Sequence, residues 1–142
     1  MKHRIFHPIL FEFLHGETFE KDILTAGREL VISSPILARS RIIGILNKLP
    51  ASIKLRIITR SEEAYTVEQQ MRILSALKLL EDAGAEIITR PQLSQRYAVI
   101  DGIIVWYGDV NFLSSAKPED AVIRLESPEL AGELLDMEGT RE

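Results

Sequence analysis

The stretch Ser94-Gln95-Arg96-Tyr97-Ala98-Val99-Ile100-Asp101-Gly102-Ile103-Ile104-Val105-Trp106-Tyr107-Gly108-Asp109-Val110-Asn111 decides how this chain is read. Tyr97–Ile100 and Ile103–Tyr107 are β-branched and aromatic runs, and Asp101-Gly102 between them is a strong hairpin signal. Upstream, helical and strand patterns alternate. Thr18–Arg28 reads as a helix with Phe19, Ile23 and Ala26 on one stripe, and Leu30-Val31-Ile32 as a buried strand stopped by Ser33-Ser34-Pro35. Arg39–Leu49 is a second helix, closed by Pro50, and Ile53–Thr59 a second strand. Thr66 with Gln69 makes a capping box for a third helix, whose Val67, Met71, Leu74, Ile73, Leu77 and Leu80 form a broad apolar face ended by Gly84. Ala85–Thr89 is another strand. Downstream of the hairpin, Val122–Leu125 reads as a strand and a last helix begins near Pro128. Helix–strand alternation followed by a hairpin predicts an α/β fold, a mixed sheet covered by helices on both faces. One domain spans 1–142, with residues 1–16 and the extreme C-terminus peripheral.

Composition sets outer bounds. A chain of 142 residues with 46% hydrophobic and 27% charged residues has the size and make-up of one folded domain with a real core. The absence of cysteine excludes disulfides, thiolate metal sites and a catalytic thiol. A net charge of −4 argues against a protein that coats nucleic acid, though a local basic patch is compatible with it. The basic start at Lys2 and Arg4 is followed by an apolar run that His7, Pro8, Glu12 and His15 interrupt, so a signal peptide is not indicated. No apolar stretch is long enough to span a bilayer, and the expected location is the cytoplasm.

A short echo draws attention to two arginines. Ile57-Ile58-Thr59-Arg60 and Ile87-Ile88-Thr89-Arg90 are identical and end successive strands. Ligands of open α/β sheets collect at the carboxyl ends of strands, where Arg60 and Arg90 could form an anion site. The alternative is that buried strands simply end in polar residues. His3 and His7 have helical metal-ligand spacing, but Pro8 disfavours the helix and no third ligand is near, so no metal site is expected and the N-terminus is mobile or edge-forming. Trp106 and Tyr107 are expected to pack within the hairpin. The acidic residues from Glu126 to Glu142 read as a solvated face with a frayed end.

The segment from Ser94 to Asn111 resembles the phospholipase D superfamily signature, H-x-K-x4-D followed six residues later by G-S-x-N. Here the aligned positions are Ser94, Arg96, Asp101, Gly108, Asp109 and Asn111, with matching spacing throughout. Arg124-Leu125-Glu126-Ser127-Pro128 and Leu30-Val31-Ile32-Ser33-Ser34-Pro35 extend the likeness, which covers nearly the whole chain from about residue 17. It is nearest to the phospholipase D-like domains appended to some bacterial helicase-type proteins. The resemblance implies an α/β/α sandwich and phosphodiester chemistry without a cofactor. In the family a histidine attacks phosphorus, a second histidine from a partner motif protonates the leaving group, the lysine and asparagine bind phosphate, and the aspartate orients the nucleophile.

At the catalytic positions Ser94, Arg96, Asp101 and Asn111, this chain keeps the frame and loses the nucleophile. A serine hydroxyl needs a base, and no histidine lies in the segment. Arg96 keeps the positive charge and has a fork suited to phosphate. Asp109 stands where the family has serine, and its carboxylate either repels a phosphodiester or pairs with Arg96 across adjoining strands. The expected function is a degenerate binding or assembly module. Its vestigial pocket (Arg60, Arg90, Arg96, Gly108, Asn111) would contact phosphate or nucleic acid. The alternative is an active phosphodiesterase or nuclease using Ser94. Because the family pairs two signatures and this chain has one, the resemblance implies a homodimer with Ser94–Asn111 near its axis, or a module of a larger helicase-like protein.

Overall fold

The computed structural model describes residues 9–12, 17–38, 40–61, 63, 65–114 and 121–137. His3, His7 and His15, the start of the second expected helix at Arg39, and the acidic tail beyond Met137 lie outside them. The described residues form seven strands: β1 (Ile9–Glu12), β2 (Glu29–Ser33), β3 (Lys54–Arg60), β4 (Glu86–Arg90), β5 (Tyr97–Ile100), β6 (Ile104–Gly108) and β7 (Ala121–Glu126). They also form four helices: α1 (Glu17–Leu24), α2 (Arg41–Leu46), α3 (Val67–Asp82) and α4 (Pro128–Met137).

All seven strands join one sheet in the order β1-β7-β6-β5-β2-β3-β4. β2, β3 and β4 run parallel, as helical crossovers require, while β5, β6, β7 and β1 pair antiparallel. Strand alternation then divides the core. Leu30, Ile32, Leu55, Ile57, Ala98, Ile100 and Trp106 face one way and pack with Phe19 and Ile23 of α1, Ile42, Ile43 and Leu46 of α2, and Ile73, Ala76 and Leu80 of α3. Their neighbours Val31, Ile58, Tyr97, Val99 and Val105 face the other way, against Ala131 and Leu134 of α4. The sheet is therefore covered on both faces, three helices on one and one on the other.

The hairpin signal is realised directly. Asp101 (φ 54°) and Gly102 (φ 67°) both occupy the left-handed region, and the Ile103 N–H donates to the Ile100 carbonyl at 3.0 Å. So is the capping box, with Gln69 N–H on the Thr66 hydroxyl at 3.2 Å and Thr66 N–H on Gln69 Oε1 at 3.0 Å. α1 is shorter than expected. It stops at Leu24, and the N–H groups of Gly27 and Arg28 are bound by the Asp101 carboxylate instead of by a further helical turn. α2 ends at Leu46 because the chain tightens into i→i+3 bonds, Lys48 N–H to Ile45 and Leu49 N–H to Leu46.

One expectation is corrected. The apolar face assigned to α3 splits in two: Ile73, Ala76 and Leu80 are buried, but Val67, Met71 and Leu74 are 77%, 73% and 52% exposed. The core stripe of α3 follows Ile73, and residues spaced as 67, 71 and 74 lie over a third of a turn away from it. The N-terminal region contributes β1, which pairs with β7 through Ile9–Glu12 and closes that side of the sheet. One polar clamp ties α1 to the sheet: Asp22 accepts from Trp106 Nε1 at 2.7 Å and from Arg124 Nε and Nη2 at 2.6 and 3.2 Å.

Candidate functional site

The carboxyl ends of β2 and β3, the start of β5 and the end of β6 meet at one end of the sheet. Continuing the β5–β6 register by one residue sets Arg96 opposite Gly108, the last residue of β6. Alternation puts Arg96 on the face of Ala98 and Ile100, the side covered by α1–α3. Ser94 precedes it in the irregular segment before β5 and is exposed. Arg96 Nη1 lies 3.5 Å from the Ser94 carbonyl, while its Nε is buried with no hydrogen-bond partner among the described residues. A buried guanidinium N–H left unpaired costs about 1–3 kcal/mol.

Asn111 follows β6 and its Oδ1 accepts from the Ile36 N–H at 3.2 Å, with the Nδ2 hydrogens available to a ligand. Further bonds fix the loop after β2 beside it. The Leu113 N–H donates to the Ser34 hydroxyl at 3.2 Å, Ala38 N–H to the Leu113 carbonyl at 3.0 Å, and the Ser33 hydroxyl to the Gln95 carbonyl at 2.7 Å. Ser33 and Ser34 are wholly buried. Sequence reading took them only as a strand stop, yet their hydroxyls hold the loops that carry Ser94, Arg96 and Asn111. Asp109 is exposed at the bend after β6, and among the described residues it makes no ion pair with Arg96. The expected cross-strand pair is absent because Asp109 leaves the strand before it can face Arg96.

Asp101 is not part of this cluster. It lies at the far end of β5, five residues from Arg96 and so on the order of 16 Å along an extended strand. There its Oδ1 accepts from Arg28 and Glu29 N–H at 2.8 and 2.9 Å, its Oδ2 from Gly27 N–H at 2.9 Å, and its carbonyl from Arg28 Nη2 at 2.8 Å. Burial disfavours its charge, but the Gly27, Glu29 and Arg28 N–H groups and the Arg28 guanidinium outweigh that and hold its carboxyl below its ordinary value. The aspartate of the motif is thus a brace for the entry to β2, not a partner of the residue at position 94.

The three arginines also divide. Arg60 and Arg90 are register partners on β3 and β4, and Arg60 shares its face with Ile58, on the α4 side. Arg60 Nε donates at 2.9 Å to the carbonyl of Leu93, a residue buried in the α4-side core. Arg60 therefore pins the crossover from β4 to β5, on the opposite face from Arg96. Sequence position puts Arg60 and Arg90 at strand ends but does not resolve the face.

Beside Asn111, a cleft of about 170 Å³ is lined by Ile36, Leu37, Ala38, Tyr65, Gln69, Arg72 and Ile73. Tyr65 is held there by its hydroxyl, which donates to the Pro35 carbonyl at 2.6 Å. Gln69 and Ile73 carry only helix signals in the sequence, and nothing there joins them to Ile36, Leu37, Ala38 and Tyr65.

The fold is shared with a solved phospholipase D family member and its structural kin. The structure is similar to NucT from Helicobacter pylori (TM-score 0.72, 18% identity, covering 94% of this chain and 93% of that one). It is equally similar to Nuc from Salmonella typhimurium, described as a phospholipase D family member (TM-score 0.72, 14% identity, 94% and 90% covered). A more distant likeness is to TrmBL2, described as an archaeal chromatin protein with a novel mode of DNA binding (TM-score 0.58, 7% identity, 93% of this chain and 50% of that one). No family model and no curated protein matches the sequence. Among the described residues no helix is long and apolar enough to cross a membrane.

Proposed function

We propose that this domain binds phosphodiester or phosphate groups without cleaving them, using Arg96 and Asn111 as the anchor. The observation that carries the reading is the pairing of a retained cation with a missing nucleophile. Arg96 keeps a cation where the family has lysine, its Nε buried without a hydrogen-bond partner among the described residues, while Ser94, an exposed hydroxyl, stands where the family has the nucleophilic histidine. A neutral hydroxyl cannot displace an alkoxide from phosphorus without that base. Nucleic acid is the favoured ligand class, supported by the DNA-binding description of one protein sharing the fold. Contacts limited to phosphate imply sequence-independent binding that weakens with salt.

The same reading makes the domain one half of a two-fold pair, with the Ser94–Asn111 segments near the axis. A module within a helicase-like protein would use the same surface. The test is titration of fluorescent single-stranded DNA at several salt concentrations with the wild type and Arg96→Ala. The reading expects weakened binding and a flatter salt slope in the variant; equal affinity and slope would reject it. Sedimentation at micromolar concentration tests the pairing, and a monomer there would remove it.

A further inference from the structure

We propose that the cleft between the loop after β2 and α3 is a subsite for the ring of a nucleotide whose phosphate sits at Arg96 and Asn111. The inference rests on the phosphate-binding reading and adds the part of the ligand that the reading leaves open.

The cleft and the anchor are contiguous, because Ile36, which lines the cleft, donates its N–H to Asn111 Oδ1 at 3.2 Å. A phosphate held by Asn111 therefore lies next to a residue that lines the cleft. At about 170 Å³ the cleft is well under the roughly 300–1,000 Å³ of sites for larger organic ligands, and suits one ring. Its floor is apolar, made by Ile36, Leu37 and Ile73. Tyr65 stands in the wall, its ring fixed by the 2.6 Å bond to Pro35, as a stacking platform needs to be.

The polar groups at the cleft are donors. Gln69 commits its Oε1 to the Thr66 N–H at 3.0 Å, which leaves its Nε2 hydrogens to point outward. Arg72 is exposed and has no hydrogen-bond or ionic partner among the described residues. An apolar floor, an aromatic wall and donors alone fit a flat ring with acceptor atoms on its edge, such as a pyrimidine carbonyl edge. They fit an alkyl chain poorly, since nothing would answer the donors.

The experiment compares inorganic phosphate, ribose 5-phosphate, uridine monophosphate and a short oligothymidylate by calorimetry, on the full chain. Uridine monophosphate is expected to bind about tenfold tighter than ribose 5-phosphate, the scale of one base–aromatic contact. Tyr65→Leu, which removes the aromatic wall, should bring that ratio close to one and Arg72→Ala should lower it, both leaving ribose 5-phosphate binding unchanged. Arg96→Ala should weaken all four ligands. Near-ultraviolet circular dichroism checks that each variant is folded. If the two sugar phosphates bind alike to the wild type, or if folded Arg72→Ala and Tyr65→Leu both keep the ratio, the subsite is wrong and the phosphate anchor stands. If inorganic phosphate and ribose 5-phosphate fail to bind and Arg96→Ala changes nothing, the anchor itself is wrong. Tighter binding of the oligothymidylate would assign the ring to a strand, tighter binding of the monophosphate to a free nucleotide; either supports the subsite.

Discussion

Replacing Asp101 by asparagine tests whether the motif aspartate braces the fold or serves the site. In the structure its carboxylate accepts three backbone N–H groups, from Gly27, Arg28 and Glu29, at 2.8–2.9 Å. Asparagine tolerates the positive φ of 54° and can keep Oδ1 on Arg28 and Glu29, but it turns an NH2 toward the Gly27 N–H. Hydrogen bonds to a charged acceptor contribute about 1.5–3 kcal/mol each, and neutral ones about half of that. The Gly27 and Arg28 donors are exposed and water can replace their partner, whereas the Glu29 donor is partly buried. The net loss for Asp101→Asn is therefore about 2 kcal/mol. Asp101→Ala should lose more, about 3 kcal/mol, because it abandons all three donors and sets alanine at a left-handed φ.

Urea denaturation measures both variants, and pH supplies an internal check. A carboxyl held below its ordinary value stabilises the fold above the unfolded-state pKa, and that contribution fades as pH falls through the lower folded value. The gap between wild type and Asp101→Asn should therefore be full at pH 7 and narrow in the acid range below about 4. Phosphate affinity should not change, because Asp101 sits at the other end of β5. A variant as stable as the wild type at neutral pH, or one that keeps its stability and loses the ligand, would refute the assignment.

Other perturbations probe different parts of the account. Arg124→Ala strips Asp22 of its cation inside a largely buried pair (17% and 13% exposed) and should cost about 3 kcal/mol, read as a lowered thermal midpoint. Arg60→Ala frees the Leu93 carbonyl and should destabilise by about 1–2 kcal/mol, while leaving phosphate affinity far less affected than Arg96→Ala does. Met71→Glu should change stability by less than about 0.5 kcal/mol, since that side chain is 73% exposed; a loss of several kcal/mol would return it to the core.

What sequence could and could not show follows from how far each signal reaches along the chain. The Asp101-Gly102 turn and the Thr66–Gln69 capping box are made by residues within three positions of each other, and both are realised where they were expected. The α3 stripe misled because Val67, Met71 and Leu74 have helical spacing regardless of which side meets the sheet. The strand β1 gave no local signal; its place comes from pairing with β7, more than a hundred residues away. Motif spacing picks out Ser94, Arg96 and Asn111, which the fold sets at one end of the sheet. It could not show that a four-residue strand carries Asp101 to the other end, or that alternation sends Arg60 and Arg96 to opposite faces. The cleft beside Asn111 was beyond reach, since Ile36, Tyr65 and Arg72 meet only in the folded chain.

The most direct test of the central claim is turnover of a chromogenic phosphodiester by the purified chain, with Ser94→Ala as control. The account predicts that the wild type releases no more product than the variant while both still bind phosphate. Turnover that disappears with the Ser94 hydroxyl would contradict it and make this domain an enzyme.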